Sequence, residues 1–210
     1  MKLETLRLVL PLVVAGIIPL FFVVIYVGSC SSRLRSLRAQ TATLLDELFK
    51  ALRARLALAD QLLQSGKDRP IASDPEFRQA QESIQALGAR LNAPESGSPA
   101  CSSPKSLEDL SRTTFQFEQA LRRLLERAES VDAPMSCAKD PGWGIAWAEN
   151  LVTLASAAMI YNQAADRHHR AWSAFPGGLV AHFSGGAVFG QFRFEGGEAS
   201  VLPSPQRSEG

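Results

Sequence analysis

The chain has 210 residues, of which 46% are hydrophobic and 20% are charged, and its net charge is +1. Because 22 Lys and Arg balance 21 Asp and Glu, the composition gives no electrostatic reason to expect a nucleic-acid or acidic partner. Beyond the apolar N-terminal run, the length predicts a single domain of about 180 residues.

The first element in chain order is an uncharged run over residues 8–27. It reads LVLPLVVAGIIPLFFVVIYV, and about 20 apolar residues in a helix match the ~30 Å hydrocarbon core of a bilayer. We therefore predict a short N-terminal segment, 1–7, and then a single-pass transmembrane helix over 8–29. This helix would contact membrane lipid through residues 8–27.

The same run also has the features of a lipoprotein signal. It ends Val27-Gly28-Ser29-Cys30, which is similar to a bacterial lipobox with Cys30 as the acylated residue. Acylation of Cys30 would leave Cys101 and Cys137 as a pair, and both lie in loop-like sequence where a disulfide could form in an oxidising compartment. Two free thiols are the alternative, so a permanent anchor and an acylated lipoprotein both stay open.

Basic residues beside the apolar run bear on its orientation. Arg33, Arg35 and Arg38 follow the run, whereas Lys2 and Arg7 precede it. The excess on the C-terminal side favours a cytoplasmic domain by the positive-inside rule. A disulfide would instead require the periplasmic side. We expect a single-pass protein of the bacterial inner membrane with a cytoplasmic domain, and a periplasmic domain is the alternative.

Apolar residues continue at helical intervals of three and four after the membrane run. No strong breaker occurs before Ser65-Gly66, so we predict that the membrane helix continues as one long helix to about Gln64. The apolar stripe of this helix contains Leu34, Leu37, Thr41, Leu44, Leu48, Leu52 and Leu56.

Three further helices are predicted from caps, breakers and apolar stripes. The second covers about 75–91, with Ser73 or Asp74 as its cap. The third begins near 104 with Ser103 as its cap, and the fourth covers about 143–173. Together the helices predict an all-α fold, with an antiparallel up-and-down bundle of three or four helices over residues 30–175. The stripe of the fourth helix contains Trp147, Leu151, Leu154, Ala158, Tyr161, Ala165, His168 and Trp172.

The chain changes character after Ser173. Residues 176–199 are rich in Gly and Phe and nearly uncharged, and glycines at this density cost too much entropy for a long helix. We predict a short helical turn after Pro176 and then an extended tail that packs on the bundle. Residues 200–210 are predicted to be disordered.

The last helix and the tail carry a sequence resemblance. Tyr161-Asn162-Gln163-Ala164, followed by FPGGLVA from residue 175, resembles the YN-x-A…FPxNLIA ending of the LemA family of bacterial membrane proteins. Gly178 stands where that family has Asn. Residues 120–129 resemble the family's AL-x-RL-x-AVAE helix, and residues 33–36 resemble its RLRN start. The family's Trp near Ala42 is absent.

Membership of this family implies a helical bundle attached to one N-terminal transmembrane helix. It also implies no established enzymatic activity and a role in membrane organisation. The residues at the matching motif positions become candidate interaction residues: Tyr161, Asn162, Phe175, Pro176, Gly177 and Leu179.

Side chains with catalytic or metal-binding chemistry form no recognisable constellation in the sequence. His168 and His169 are adjacent on a helix, so they point about 100° apart and cannot share one metal ion. We therefore expect no catalytic, metal or cofactor site. The expected function is that of a non-enzymatic interaction or scaffold module that binds another membrane or envelope protein. The alternative is an envelope lipoprotein acylated at Cys30 with a Cys101–Cys137 disulfide.

Overall fold

The computed structural model describes residues 2–92, 103–130, 140–174 and 189–194, with side chains at Ile17 and from residue 21 onward. Within these ranges the regular structure is helical and no strand occurs. The helices are α1 Lys2–Gly66, α2 Pro75–Leu91, α3 Pro104–Ser130 and α4 Pro141–Ser173, and a 3-10 helix, Pro70–Ser73, precedes α2. The predicted all-α fold is confirmed.

Side-chain caps determine where the later helices begin. The Asp74 carboxylate accepts a hydrogen bond from the Glu76 backbone N–H at 3.0 Å, and Ser103 Oγ accepts one from the Ser106 N–H at 3.2 Å. Asp140 Oδ1 accepts from the Gly142 N–H at 2.9 Å. The first two caps agree with the sequence prediction. The third cap starts α4 at Pro141, slightly earlier than the sequence predicted.

The chain forms two compact units. Among the described residues, unit 1 contains 2–40 and 166–174. Unit 2 contains 41–92, 103–130, 140–165 and 189–194. The backbone of α1 is continuous from Lys2 to Gly66, as predicted from the absence of a breaker before Ser65.

In unit 2, contacts between the helices show that consecutive helices run in opposite directions. Arg53 Nη2 donates to the Leu91 carbonyl at 3.2 Å, which joins the middle of α1 to the end of α2. Arg127, near the end of α3, donates to Asp74 beside the start of α2 at 3.0 Å. Trp143, at the start of α4, donates to the Leu58 carbonyl at 3.1 Å. The helical bundle that the sequence predicts is therefore present.

The core of unit 2 contains most of the apolar stripe residues that the sequence predicts, but Leu44, Leu56, Trp147 and Leu151 are only partly buried. Thr114 of α3 is buried with its apolar neighbours. Burial of these side chains is the main stabilising contribution, since each large apolar side chain contributes about 1.5–3 kcal/mol. The buried residues include Leu45, Leu48, Phe49, Leu52, Leu62, Phe77, Ile84, Leu87, Leu91, Leu107, Leu110, Phe117, Leu121, Leu124 and Leu154.

Apolar residues near the start of α1 are exposed wherever their side chains are described. Among the described residues, no helix has a stretch that is both long and apolar enough to cross a membrane. The side chains of residues 1–16 and 18–20 lie outside the described part. They include most of the predicted span over 8–29. The exposed residues are Ile17, Phe21, Phe22, Val23, Val24, Ile25, Tyr26 and Val27.

Candidate functional site: the seat of the C-terminal segment

Residues 189–194, which we call the C-terminal segment, lie against α3 and α4 without forming a helix. Asn162 on α4 bonds to both polar backbone atoms of Phe192. Its Nδ2 donates to the Phe192 carbonyl at 2.7 Å, and its Oδ1 accepts from the Phe192 N–H at 2.8 Å. A side-chain amide thus pairs with the backbone as a neighbouring strand would.

Two hydroxyl groups extend this pairing along the segment. Tyr161 Oη donates to the Gly190 carbonyl at 2.9 Å, and burial raises the pKa of the Tyr161 phenol, so the donor stays protonated. Ser111 Oγ on α3 accepts from the Arg193 N–H at 3.0 Å and donates to the Leu107 carbonyl at 2.7 Å. We call Ser111, Tyr161 and Asn162 the seat.

Apolar burial and a close backbone approach hold the segment in register with the seat. Phe189 and Phe192 are buried in the core of unit 2, whereas Gln191 and Arg193 are exposed. A Cβ atom on Gly190 would lie 2.5 Å from Pro104 Cα at the start of α3. Only glycine therefore allows the backbone of the segment to lie this close to α3.

The seat has the chemistry of a site that binds an extended peptide. Its three polar side chains engage backbone groups at Gly190, Phe192 and Arg193, and the bundle supplies apolar space for two phenylalanines. Extended peptides are generally recognised by such main-chain hydrogen bonds together with pockets for some of their side chains.

A second polar network lies in the core of unit 2 and joins three helices. The Arg55 side chain is 2% exposed and forms a bidentate pair with Glu118, with Nε–Oε1 at 2.8 Å and Nη2–Oε2 at 3.0 Å. Arg55 Nη1 also donates to the Trp147 carbonyl at 2.8 Å. The Arg55 guanidinium carbon lies 3.2 Å from the centre of the Trp147 ring, so α4 contributes a cation–π contact as well.

Aromatic and amide contacts continue this network along α1 and α4. Trp143 stacks on Trp147 with 5.1 Å between ring centroids, and Asn150 Nδ2 donates to the Ala51 carbonyl at 3.2 Å. The exposed face of α4 carries apolar residues among polar ones such as Glu149 and Ser156. Three of its exposed residues lie seven positions apart: Ile145, Val152 and Met159.

In unit 1, the end of α4 holds a buried histidine. His168 packs against Trp172 with 5.8 Å between ring centroids. Burial, with smaller effects from the positive charges of Arg38 and His169, lowers the pKa of His168. The sequence predicts a core position for both aromatic side chains. His168 is buried, but Trp172 is only half-buried.

The predicted interaction residues have different outcomes. Tyr161 and Asn162 lie together at the seat, but Phe175, Pro176, Gly177 and Leu179 lie outside the described residues. Cys30 is a free cysteine of intermediate exposure in α1. The predicted Cys101–Cys137 disulfide also falls outside the described residues, as do 176–188 and 195–199 of the predicted tail and all of 200–210.

Sequence reasoning missed Ser111 and the Arg55–Glu118 pair as structural partners. A signal for Arg55 was present, because it shares a seven-residue spacing with Thr41, Leu48 and Leu62, all of which are buried. A charged residue on such a stripe needs a buried partner.

Comparison of the chain with protein-family profiles, with curated proteins and with solved structures found no match.

Proposed function

We propose that this chain is a membrane-anchored helical-bundle protein that acts as a non-enzymatic interaction or scaffold module in bacterial membrane organisation. Its anchor is the N-terminal part of α1, and its location is the bacterial inner membrane with the bundle on the cytoplasmic side. Its partner is another membrane or envelope protein.

The observation that carries the proposal is the exposed apolar segment 21–27 of α1. Its seven successive side chains range from 39% exposed at Val27 to 65% at Phe22. Seven positions at about 100° each pass almost twice around the helix, so every side of this part of α1 is apolar. A helix that is apolar all round is stable in a protein core or a bilayer. The exposure of these side chains, together with the uncharged sequence from Leu8 onward, supports a bilayer.

Two features of unit 2 support an interaction role. The seat is a peptide-binding arrangement that the chain fills with its own C-terminal segment. The outward face of α4 also exposes Ile145, Val152 and Met159, and an exposed apolar stripe on a soluble domain is typical of a contact surface.

The resemblance to the LemA family supports the same proposal. Tyr161 and Asn162 belong to its most specific motif, and both bind the backbone of the C-terminal segment. These bonds give a physical reason for a Tyr-Asn pair at this position. We therefore propose that the chain is a divergent member of this family.

The anchor is tested by extracting bacterial membranes that contain the full chain with alkaline carbonate. We expect the protein to stay in the membrane pellet. Ile17→Lys with Phe21→Lys should release it, because each lysine near the centre of a span costs about 2.5–3.5 kcal/mol. The matched control is Ile145→Lys with Val152→Lys on α4, which should leave the protein in the pellet. Extraction of the unaltered chain would contradict the anchor.

The side of the membrane is tested by a reporter fused after Gly210. Activity of a cytoplasmic reporter supports the proposed orientation, and activity of a periplasmic reporter contradicts it.

A second candidate, the envelope lipoprotein, is favoured by the unpaired, partly exposed Cys30 at the end of the apolar segment. Intact mass separates the two candidates. A chain that retains its N-terminal residues supports the permanent anchor, whereas a chain that begins at a diacylated Cys30 supports the lipoprotein.

A further inference from the structure

Unit 1 collects arginines from two helices. We call Arg33, Arg35 and Arg38 of α1 and Arg167 and Arg170 of α4 the arginine collar. All except Arg38 are exposed. Asp166 is the one acidic residue among the described side chains of this unit. Within the described part of the chain, none of the ion pairs involves a collar arginine. Four of the five collar side chains are thus exposed and accessible to a ligand.

The collar begins directly after the exposed apolar segment. Arg33 follows Val27 by six residues, which is about 9 Å along a helix. Arg33 and Arg35 point about 160° apart around α1, so they face different sides. The end of α4 belongs to the same compact unit, and the charge of Arg38 acts on His168 of α4. Arg167 and Arg170 therefore add to the positive charge of unit 1.

Aromatic residues accompany the collar. Tyr26 is exposed at the end of the apolar segment, and Trp172 is half-buried in the last turn of α4. Trp and Tyr are enriched where a protein passes from hydrocarbon to the polar headgroups. The order along unit 1 is therefore apolar segment, aromatic residue and then arginines, which is the order of hydrocarbon, interface and phosphate in a bilayer.

We infer that the arginine collar binds the phosphate groups of anionic phospholipids in the membrane that holds the anchor. Guanidinium groups bind phosphate oxygens through paired hydrogen bonds, and basic clusters next to a membrane span attract anionic lipid. The positive-inside rule alone would explain the arginines of α1, since they lie directly after the proposed span. The two arginines of α4 extend the collar to a second helix of unit 1, so that both helices of this unit would contact the lipid headgroups. This inference rests on the proposed anchor.

The test measures which lipids the full chain retains. The protein is reconstituted in nanodiscs of equal amounts of phosphatidylcholine and phosphatidylglycerol, and the lipids that stay bound after release are identified by native mass spectrometry. We expect phosphatidylglycerol to be enriched about threefold or more over phosphatidylcholine. The enrichment should fall when salt rises from about 0.1 M to about 1 M, because salt screens exposed charges.

The decisive variant is Arg167→Gln with Arg170→Gln, which leaves the apolar segment unchanged and should remove most of the enrichment. The matched control is Arg122→Gln with Arg123→Gln, which removes the same charge from exposed positions on α3 and should leave the enrichment intact. Circular dichroism of both variants checks that the helices are retained.

Several outcomes would overturn the inference. Retained lipids in the bulk ratio would do so while leaving the anchor intact, as would enrichment that survives the Arg167→Gln and Arg170→Gln changes. Loss of the enrichment on adding inorganic phosphate at the same ionic strength would show a general anion site in place of a lipid surface. Failure of the unaltered chain to insert into nanodiscs of phosphatidylcholine alone would instead overturn the anchor, and the inference with it.

Discussion

At the scale of single residues, unit 2 is joined by polar side chains that bond to the backbone of another element. Asn162 binds Phe192, Trp143 binds the Leu58 carbonyl, and Asn150 binds the Ala51 carbonyl. Each bond joins a side chain of α4 to a backbone group of another element. Apolar stripes alone allow neighbouring helices to slide, whereas these bonds specify one register.

The first prediction concerns Asn162. Replacement by alanine removes both hydrogen bonds to Phe192 and leaves its N–H and carbonyl without these partners. We expect Asn162→Ala to lower the free energy of unfolding by about 2–3 kcal/mol, measured by denaturant titration of the full chain in detergent. Gln163→Ala, at the adjacent exposed position, is the control and should change it by less than about 0.5 kcal/mol. Equal effects of the two changes would show that the seat contributes nothing to stability.

The second prediction concerns Arg55 and its partner Glu118. Arg55→Met should cost about 3–5 kcal/mol, because Glu118 is 17% exposed and loses its counter-charge. Adding Glu118→Leu should restore much of the stability, since a buried ion pair can be replaced by apolar side chains at little cost. Thermal unfolding of the two single variants and the double variant forms a mutant cycle. Additive losses in that cycle would contradict a direct interaction.

At the scale of elements, the C-terminal segment behaves as an additional element of the bundle. It has no helix of its own, and its position depends on the start of α3 as well as on the seat. The segment approaches α3 most closely at Gly190, where an added Cβ would meet the backbone of Pro104.

The third prediction compares two glycines. Gly190→Ala should destabilise unit 2 by about 1–3 kcal/mol, since the new methyl group forces the segment away from α3. Gly144→Ala on α4 meets nothing within 4 Å. This change should be neutral or stabilise the protein by up to about 1 kcal/mol, because alanine favours a helix. Hydrogen exchange at Phe192 is the second measurement. Unchanged protection there in Gly190→Ala would contradict the close approach.

The fourth prediction concerns the end of α4. Burial lowers the pKa of His168 below its ordinary value of 6.5, so the folded state favours the neutral ring. Stability should be fully present above 6.5 and should fall as the pH drops from 6.5 to the lowered pKa. His168→Gln should flatten this dependence, whereas His169→Gln, at an exposed position, should retain it. The hydrogen bond from Arg127 lowers the pKa of Asp74 from 3.8. Any loss of stability on protonation of Asp74 therefore occurs at a more acidic pH than the loss from His168.

The helix boundaries could be predicted because they depend on local chemistry. Asp74 and Ser103 cap α2 and α3 as predicted, since a short polar side chain next to a proline determines a helix start from neighbouring residues alone. Asp140 was missed as a cap because Pro141-Gly142 is typical of a loop, so the sequence predicted that the helix begins after these two residues. The 3-10 helix before α2 has no periodic signal of its own, because it is too short to show one.

At the scale of the whole molecule, the all-α fold could be predicted, but much of the seat could not. The apolar stripe of α3 predicts a core-facing side of this helix, and the structure buries residues such as Leu107, Leu110 and Phe117 there. By contrast, Ser111 meets Arg193 across 82 positions of sequence, and Arg55 meets Glu118 across 63. Such pairs depend on which helices become neighbours, and no local pattern contains that information. Tyr161 and Asn162 were candidate residues before the structure only because of the proposed sequence resemblance.

The separation between Asn162 and its partner also has a consequence for biosynthesis. Phe192 is made 30 residues after Asn162, and translation at about 5–20 residues per second makes that interval about 1.5–6 s. During this time α3 and α4 exist without the segment that covers the Tyr161 hydroxyl and the pockets of two phenylalanines. The nascent bundle therefore passes through an interval in which its own peptide seat is vacant, and a passing chaperone or a second nascent chain could bind there first.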